Sequence, residues 1–152
     1  MSLDNWARSH WLVEHRTSPQ EIADLLGAVD RDLQSCVSPG LSEDWQLAIA
    51  YNAALQCAAA ALAACGYRAS REAHHHRTIQ SLAYTIQDEP QLIRQLDAFR
   101  KKRNVGSYER AGTASQTEAR EMLALARKLK ERVTQWLRQN YPHLLPKMPP
   151  PT

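Results

Sequence analysis

The residue types best suited to chemistry in this 152-residue chain fall in two clusters. His74-His75-His76 sets imidazoles in a row, and Phe99-Arg100-Lys101-Lys102-Arg103-Asn104-Val105-Gly106-Ser107-Tyr108 joins basic side chains to a polar residue and a phenol. A guanidinium grips phosphate through two parallel hydrogen bonds and offsets charge as it develops, while imidazole accepts and returns a proton near neutral pH. Consecutive residues on a helix diverge by about 100°, so the histidine triplet cannot converge on one ion. One of its members, taken as His75, can instead face a cleft and touch phosphate or shuttle a proton. The sequence holds no phosphate-cradling glycine loop, paired CxxC, HExxH or nucleophile elbow. No metal or cofactor is expected.

Charge follows the second cluster. From Phe99 to Asn140 there are eleven Lys or Arg against four Glu, a local balance of +7, while the rest of the chain sums to −4 and the whole to +3. A basic stripe is the electrostatic minimum for binding nucleic acid, and it is also the solvated face of many ordinary helices. Glu21-Ile22-Ala23-Asp24-Leu25-Leu26-Gly27 has the form of the first half of a helix-turn-helix, where a small residue permits close packing before a glycine turn. Between Ser18 and Cys36, however, Glu21, Asp24, Asp30 and Asp32 stand against Arg31 alone, the wrong sign for a helix that meets phosphates. Core packing is the expectation there.

Helices must position these residues. Hydrophobic residues make up 43% and charged residues 23% of the 17.2 kDa chain, the composition of an ordinary soluble single domain. Five of the eight prolines lie in the last eleven residues, which leaves the body nearly free of helix breakers. Ser18-Pro19-Gln20-Glu21 opens a helix on which Ile22, Leu25, Leu26, Val29 and Leu33 share one face, and Ser38-Pro39-Gly40 ends it. Ser42 caps a second helix that runs to Cys65, with Gly66 as its left-handed terminator. From Trp45 to Tyr67 no side chain is charged, but ten of those 23 residues are alanine, and Gln46, Asn52 and Gln56 would need partners in lipid. A membrane span is therefore rejected. Leu47, Tyr51, Leu55, Ala58 and Leu62 form a core stripe, whereas Ala48, Asn52, Gln56, Ala60 and Ala63 form one suited to close approach of another helix, such as one from a second subunit.

A third segment begins at Ser70 and carries Ile79, Leu82, Ala83 and Ile86 on one face. It is interrupted at Asp88-Glu89-Pro90-Gln91, where Asp88 and Gln91 read as a capping box, and resumes with Leu92, Leu96 and Phe99; Arg103 falls on that same face. Ser115-Gln116-Thr117-Glu118 is a further capping box, opening a last helix with Met122, Leu125, Ala126, Leu129, Val133, Trp136 and Leu137 in register before Asn140-Tyr141-Pro142 stops it. The predicted fold is all-α, a four-helix up-and-down bundle over residues 18–139. Residues 1–17 form an N-terminal extension in which Trp6, Trp11 and Leu12 suggest a short docking helix, and residues 140–152 form a proline-rich tail. Cys36, Cys57 and Cys65 lack metal-ligand spacing and there is no signal peptide, which fits a reducing cytoplasm.

Arg103, Asn104 and Tyr108 also carry a resemblance. Their pattern is similar to that of the HEPN family, small helical bundles marked by an arginine, usually a polar residue after it, and a histidine after four to six intervening residues. By helix order the resemblance covers about residues 18–139, and Ala50-Tyr51-Asn52-Ala53-Ala54-Leu55 and Gly66-Tyr67-Arg68 resemble small uncharacterised bacterial members. It implies a homodimer whose paired motifs form a composite cleft. In catalytic members that cleft cleaves RNA without metal, and relatives act in toxin–antitoxin or defence modules beside a nucleotidyltransferase-type partner. Here Arg103 and Tyr108 would stand at the catalytic positions, with Asn104, Arg100, Lys101, Lys102 and His75 binding substrate. The chain departs from the pattern at Tyr108, because a phenol with a reference pKa of about 10 donates to phosphate but is a poor base near neutrality. Three functions follow as expectations. The first is binding of RNA or a nucleotide with weak or no catalysis; the second is a metal-independent endoribonuclease in the same cleft, drawing a base from His74 to His76; the third is an interaction module in which Arg103 only caps its helix or pairs with Glu109.

Overall fold

The computed structural model describes residues 2–108 and 114–145, with the side chains of 2–102 and 114–145. The chain is mostly helical: α1 (Leu3–Arg8), α2 (Pro19–Cys36), α3 (Glu43–Ala64), α4 (His74–Gln80), α5 (Pro90–Tyr108) and α6 (Gln116–Asn140). Their starts are set by the expected caps. Ser18 Oγ accepts the Glu21 N–H at 3.1 Å, Ser42 Oγ accepts the Trp45 N–H at 3.3 Å, and Ser115 and Glu118 bond reciprocally, each at 3.1 Å. Gly66 closes α3 at φ 92° as the sequence requires.

The centre of the protein is α3. Ala50, Tyr51, Ala53, Ala54, Cys57, Ala58, Ala60 and Ala61 are all at 0% exposure, so the helix is covered around its circumference rather than on one stripe. Its length and composition would allow a membrane crossing, but α2 and α6 pack along it and α4 and α5 add to the cover. Alanine is what permits this enclosure, since it lets neighbouring helices come close. At one end the Cys36 thiol donates to Gln46 O at 3.1 Å, bringing the end of α2 to the start of α3. Asp44 meets the Ala114 N–H at 3.1 Å near the start of α6, and Tyr141 O–H lies 3.8 Å from Cys65 Sγ past its end, so α3 and α6 run in the same direction. The mildly polar stripe is covered within the chain: Asn52 and Gln56 donate to Asp32 Oδ2 on α2 at 2.9 and 3.5 Å. Burial pushes the Cys57 thiol up to about 12, as expected of a core cysteine.

Three features depart from the sequence expectation. Leu12–Glu14 and Tyr67–Ala69 pair as antiparallel strands β1 and β2, Leu12 opposite Ala69, which ties the N-terminal extension to the exit of α3. Strands of three residues are too short to show an alternating pattern. The third segment is broken, with a left-handed Ala73 (φ 51°) before α4, a 3₁₀ turn at Ser81–Ala83, and α5 opening at Pro90. Asp88 does not complete a capping box; its Oδ1 accepts the Glu89 N–H at 2.9 Å and Arg132 Nη1 of α6 at 2.5 Å. In keeping with the expectation, α2 runs unbroken through Gly27, which removes the turn that a helix-turn-helix needs. The expected N-terminal helix is present as α1, where Trp6 is buried edge-on to Trp11 and Tyr84 at 5.6 and 5.3 Å.

Candidate functional site

The two chemical clusters of the sequence meet where α4 crosses α5. The first of these helices is fixed to the body by the burial of Thr78 and Ile79, by Thr78 Oγ1–H donating to His74 O at 2.7 Å, and by Arg77 lying over the Trp11 ring at 4.2 Å. Leu92, Ile93 and Leu96, buried in the core cluster, fix the first half of α5. Asp97 follows directly after Leu96 and joins the two helices. Its Oδ1 accepts His76 Nδ1–H at 2.9 Å and Arg100 Nε–H at 2.8 Å, and Lys101 Nζ lies 3.7 Å from Oδ2. An open groove of about 490 Å³ lies beside this bridge, lined by Ala73, His74, His75, His76 and Arg100.

Burial pushes the Asp97 carboxyl up, but the hydrogen bonds from Arg100 and His76 and their nearby charge outweigh it, leaving the pKa below the usual carboxylate value. A carboxyl with a lower pKa folded than unfolded adds stability above the unfolded value and loses it as pH falls through the folded one. Asp97→Asn should therefore be less stable than the natural protein at about pH 7, with the gap closing by about pH 2. Thermal denaturation across that range checks this. A gap that does not change with pH would show that the Asp97 charge is not what joins α4 to α5.

The remaining sequence-predicted residues divide. His75 lines the groove, half-buried, with its ring 6.3 Å from that of Tyr51 on α3. Lys101 stands at the edge of the Asp97 bridge with its side chain 70% exposed. Lys102 turns to α6 and pairs with Glu118, the capping-box carboxylate, which this contact and the box bonds hold below its ordinary value. The side chains of Arg103, Asn104 and Tyr108, and Glu109 as a whole, lie outside the described residues, although α5 continues through Tyr108. Sequence reasoning missed Asp97. The signal was there, since an acid three residues before Arg100 and four before Lys101 is spaced to pair with both on a helix.

A larger open groove, about 690 Å³, lies between α2 and α6 and includes Arg127, Lys130, Glu131 and Arg138. Its Lys130 is paired with Asp30, and among the described residues no histidine or cysteine lines it, so it is the poorer site for acid–base work despite its size. Among the described residues no set of three His, Cys, Asp or Glu side chains comes together as a metal-binding group. Comparison with protein-family models, with curated proteins and with solved structures finds no match to this chain.

Proposed function

We propose that this chain is a HEPN-like protein that binds RNA or a nucleotide as a homodimer, through the groove between α4 and the C-terminal half of α5. One observation carries the reading: His74, His75, His76 and Arg100 line a single open groove, and among the described residues no carboxylate lines it. Asp97 holds Arg100 by its Nε, which leaves the two terminal nitrogens of the guanidinium for a phosphate in the parallel geometry that such pairs prefer. Lys101 adds positive charge at the rim, and Arg103, Asn104 and Tyr108 continue along the same helix.

Binding of fluorescently labelled single-stranded RNA across a salt series tests this. Phosphate contacts predict an affinity that falls steeply as salt rises. Arg100→Ala and Arg103→Ala should each weaken binding by roughly tenfold at low salt, the effect of losing one charge-assisted contact. Lys102→Ala should change it by less than about twofold, because that ammonium is engaged by Glu118. Absence of binding at low salt would leave the interaction module as the better reading.

A further inference from the structure

The Asp97 bridge sets two unlike donors side by side. A carboxylate only accepts hydrogen bonds, so the His76 nitrogen that meets Asp97 Oδ1 at 2.9 Å carries a proton, and the same oxygen accepts Arg100 Nε–H at 2.8 Å. The Asp97 side chain is 14% exposed and that of His76 42%, so the carboxylate is shielded behind the groups it orients. Both of those groups line the groove with donors to spare: the two terminal nitrogens of the guanidinium, and Nε2 of the imidazole once the ring is charged. A guanidinium fork engages two oxygens of one phosphate in parallel. On a phosphate within a strand those two carry all of the charge, and an imidazolium beside the fork finds only ester oxygens. A terminal phosphate has a third such oxygen, and a second negative charge above a pKa of about 6. The rest of the basic half points the same way. A strand is held by positive charge that follows its backbone, whereas Lys102, Lys130 and Arg132 are already engaged by Glu118, Asp30 and Asp88.

We propose that the groove is a site for a phosphate monoester, the terminal phosphate of a nucleotide or of an RNA strand. Arg100 forks two of its oxygens, His76 as imidazolium meets the third, and Asp97 is the positioning residue. The proposal rests on the RNA- or nucleotide-binding reading above and narrows its ligand to one end group. It carries a pH signature. The charged and titratable groups around His76 are His74 and His75 on α4, with Arg77 drawn off over the Trp11 ring; Asp97, Arg100 and Lys101 on α5; and, behind His75, the phenol of Tyr51 on α3. Burial raises the Asp97 carboxyl, but its bonds to Arg100 and His76 outweigh this, so it stays ionised from about pH 5 upward. Imidazoles charge as pH falls through about 6.5, and a monoester loses its second charge below about 6. Affinity for a monoester therefore peaks between about pH 6 and 6.5 and falls on both sides. A diester, singly charged throughout, gives only a rise toward acid that levels off.

The test uses the full chain at low salt and one single-stranded RNA, labelled at its 3′ end and carrying either a 5′-phosphate or a 5′-hydroxyl. At about pH 6.3 the phosphorylated strand should bind at least about tenfold tighter, the effect of one further charge-assisted contact, with its affinity lower at both pH 5 and pH 8. Calorimetry should show that AMP binds and adenosine does not. AMP binding as tightly as the phosphorylated strand assigns the site to a free nucleotide, and a tighter strand assigns it to an RNA end. Arg100→Lys keeps the charge but loses the fork, and should remove most of the preference between the strands. His76→Gln can still donate to Asp97 but takes up no proton, and should flatten the fall in affinity above about pH 6.5. The comparison of the two strands is made on the natural protein and needs no variant to fold. Equal affinity for them overturns the proposal and leaves the binding reading standing, and failure of both strands and of AMP to bind overturns both.

Discussion

Arg132→Ala is expected to destabilise the protein by about 3 kcal/mol, although the side chain it removes is partly exposed. The cost arises at its partner. The Asp88 side chain is 0% exposed, and its Oδ1 has Arg132 Nη1 at 2.5 Å and one backbone N–H from Glu89; its Oδ2 is buried without a hydrogen-bond partner among the described residues. Without the guanidinium, a shielded carboxylate keeps a single donor, and the penalty for burying a charge is no longer offset. Adding Asp88→Asn to Arg132→Ala should recover a large part of the loss, since it removes the charge that was stranded. Urea denaturation of the two variants, with exposed Arg120→Ala as reference, measures this. Equal losses for Arg132→Ala and Arg120→Ala would show that the ion pair does not hold the turn before α5. The turn matters beyond stability, because it sets where α5 begins and so where Asp97 meets α4.

That pair also shows where sequence reasoning reaches its limit. Asp88 followed three residues later by Gln91 has the spacing of a capping box, and spacing is a local signal. What decides the role of Asp88 is an arginine 44 positions away, brought close by the packing of α6. Ser18, Ser42 and Ser115 were legible because their partners lie three residues downstream on the same helix. Even there, Glu21 is drawn off by Thr17 at 2.7 Å and His15 at 2.8 Å, so only the serine half of that cap forms as expected. The central place of α3 was half legible. A run of alanine without charge says that a helix is buried, but not which neighbours bury it.

The candidate site follows the same division. The histidine triplet and the basic segment were each visible as clusters; helix geometry suggested one histidine facing a cleft, whereas all three line the groove. The cleft residue chosen from sequence was His75, and the groove does hold it. Asp97, however, pairs with His76, a contact that depends on the angle at which α4 crosses α5. That crossing follows from the break at Ser81–Ala83 and the proline that opens α5. Periodicity alone joins those two pieces into one segment and loses the bend that lets their side chains meet.

Leu129→Ala should cost about 3–4 kcal/mol, near the upper part of the range for such truncations. Leu129 is at 0% exposure on α6, and the helix it packs along is largely alanine in its buried surface. A cavity left by a leucine is partly refilled when long, flexible neighbours swing into it. Alanine has no rotamer to change, and α3 is itself held on several sides, so the walls around this position have little freedom to collapse. Leu125, half-buried on the same helix, should lose roughly half as much on truncation, because less of its surface leaves water on folding. Equilibrium denaturation of the two variants gives the comparison. Similar losses at both positions would mean that α6 is seated loosely on α3, and that the alanine-rich helix permits close approach without enforcing it.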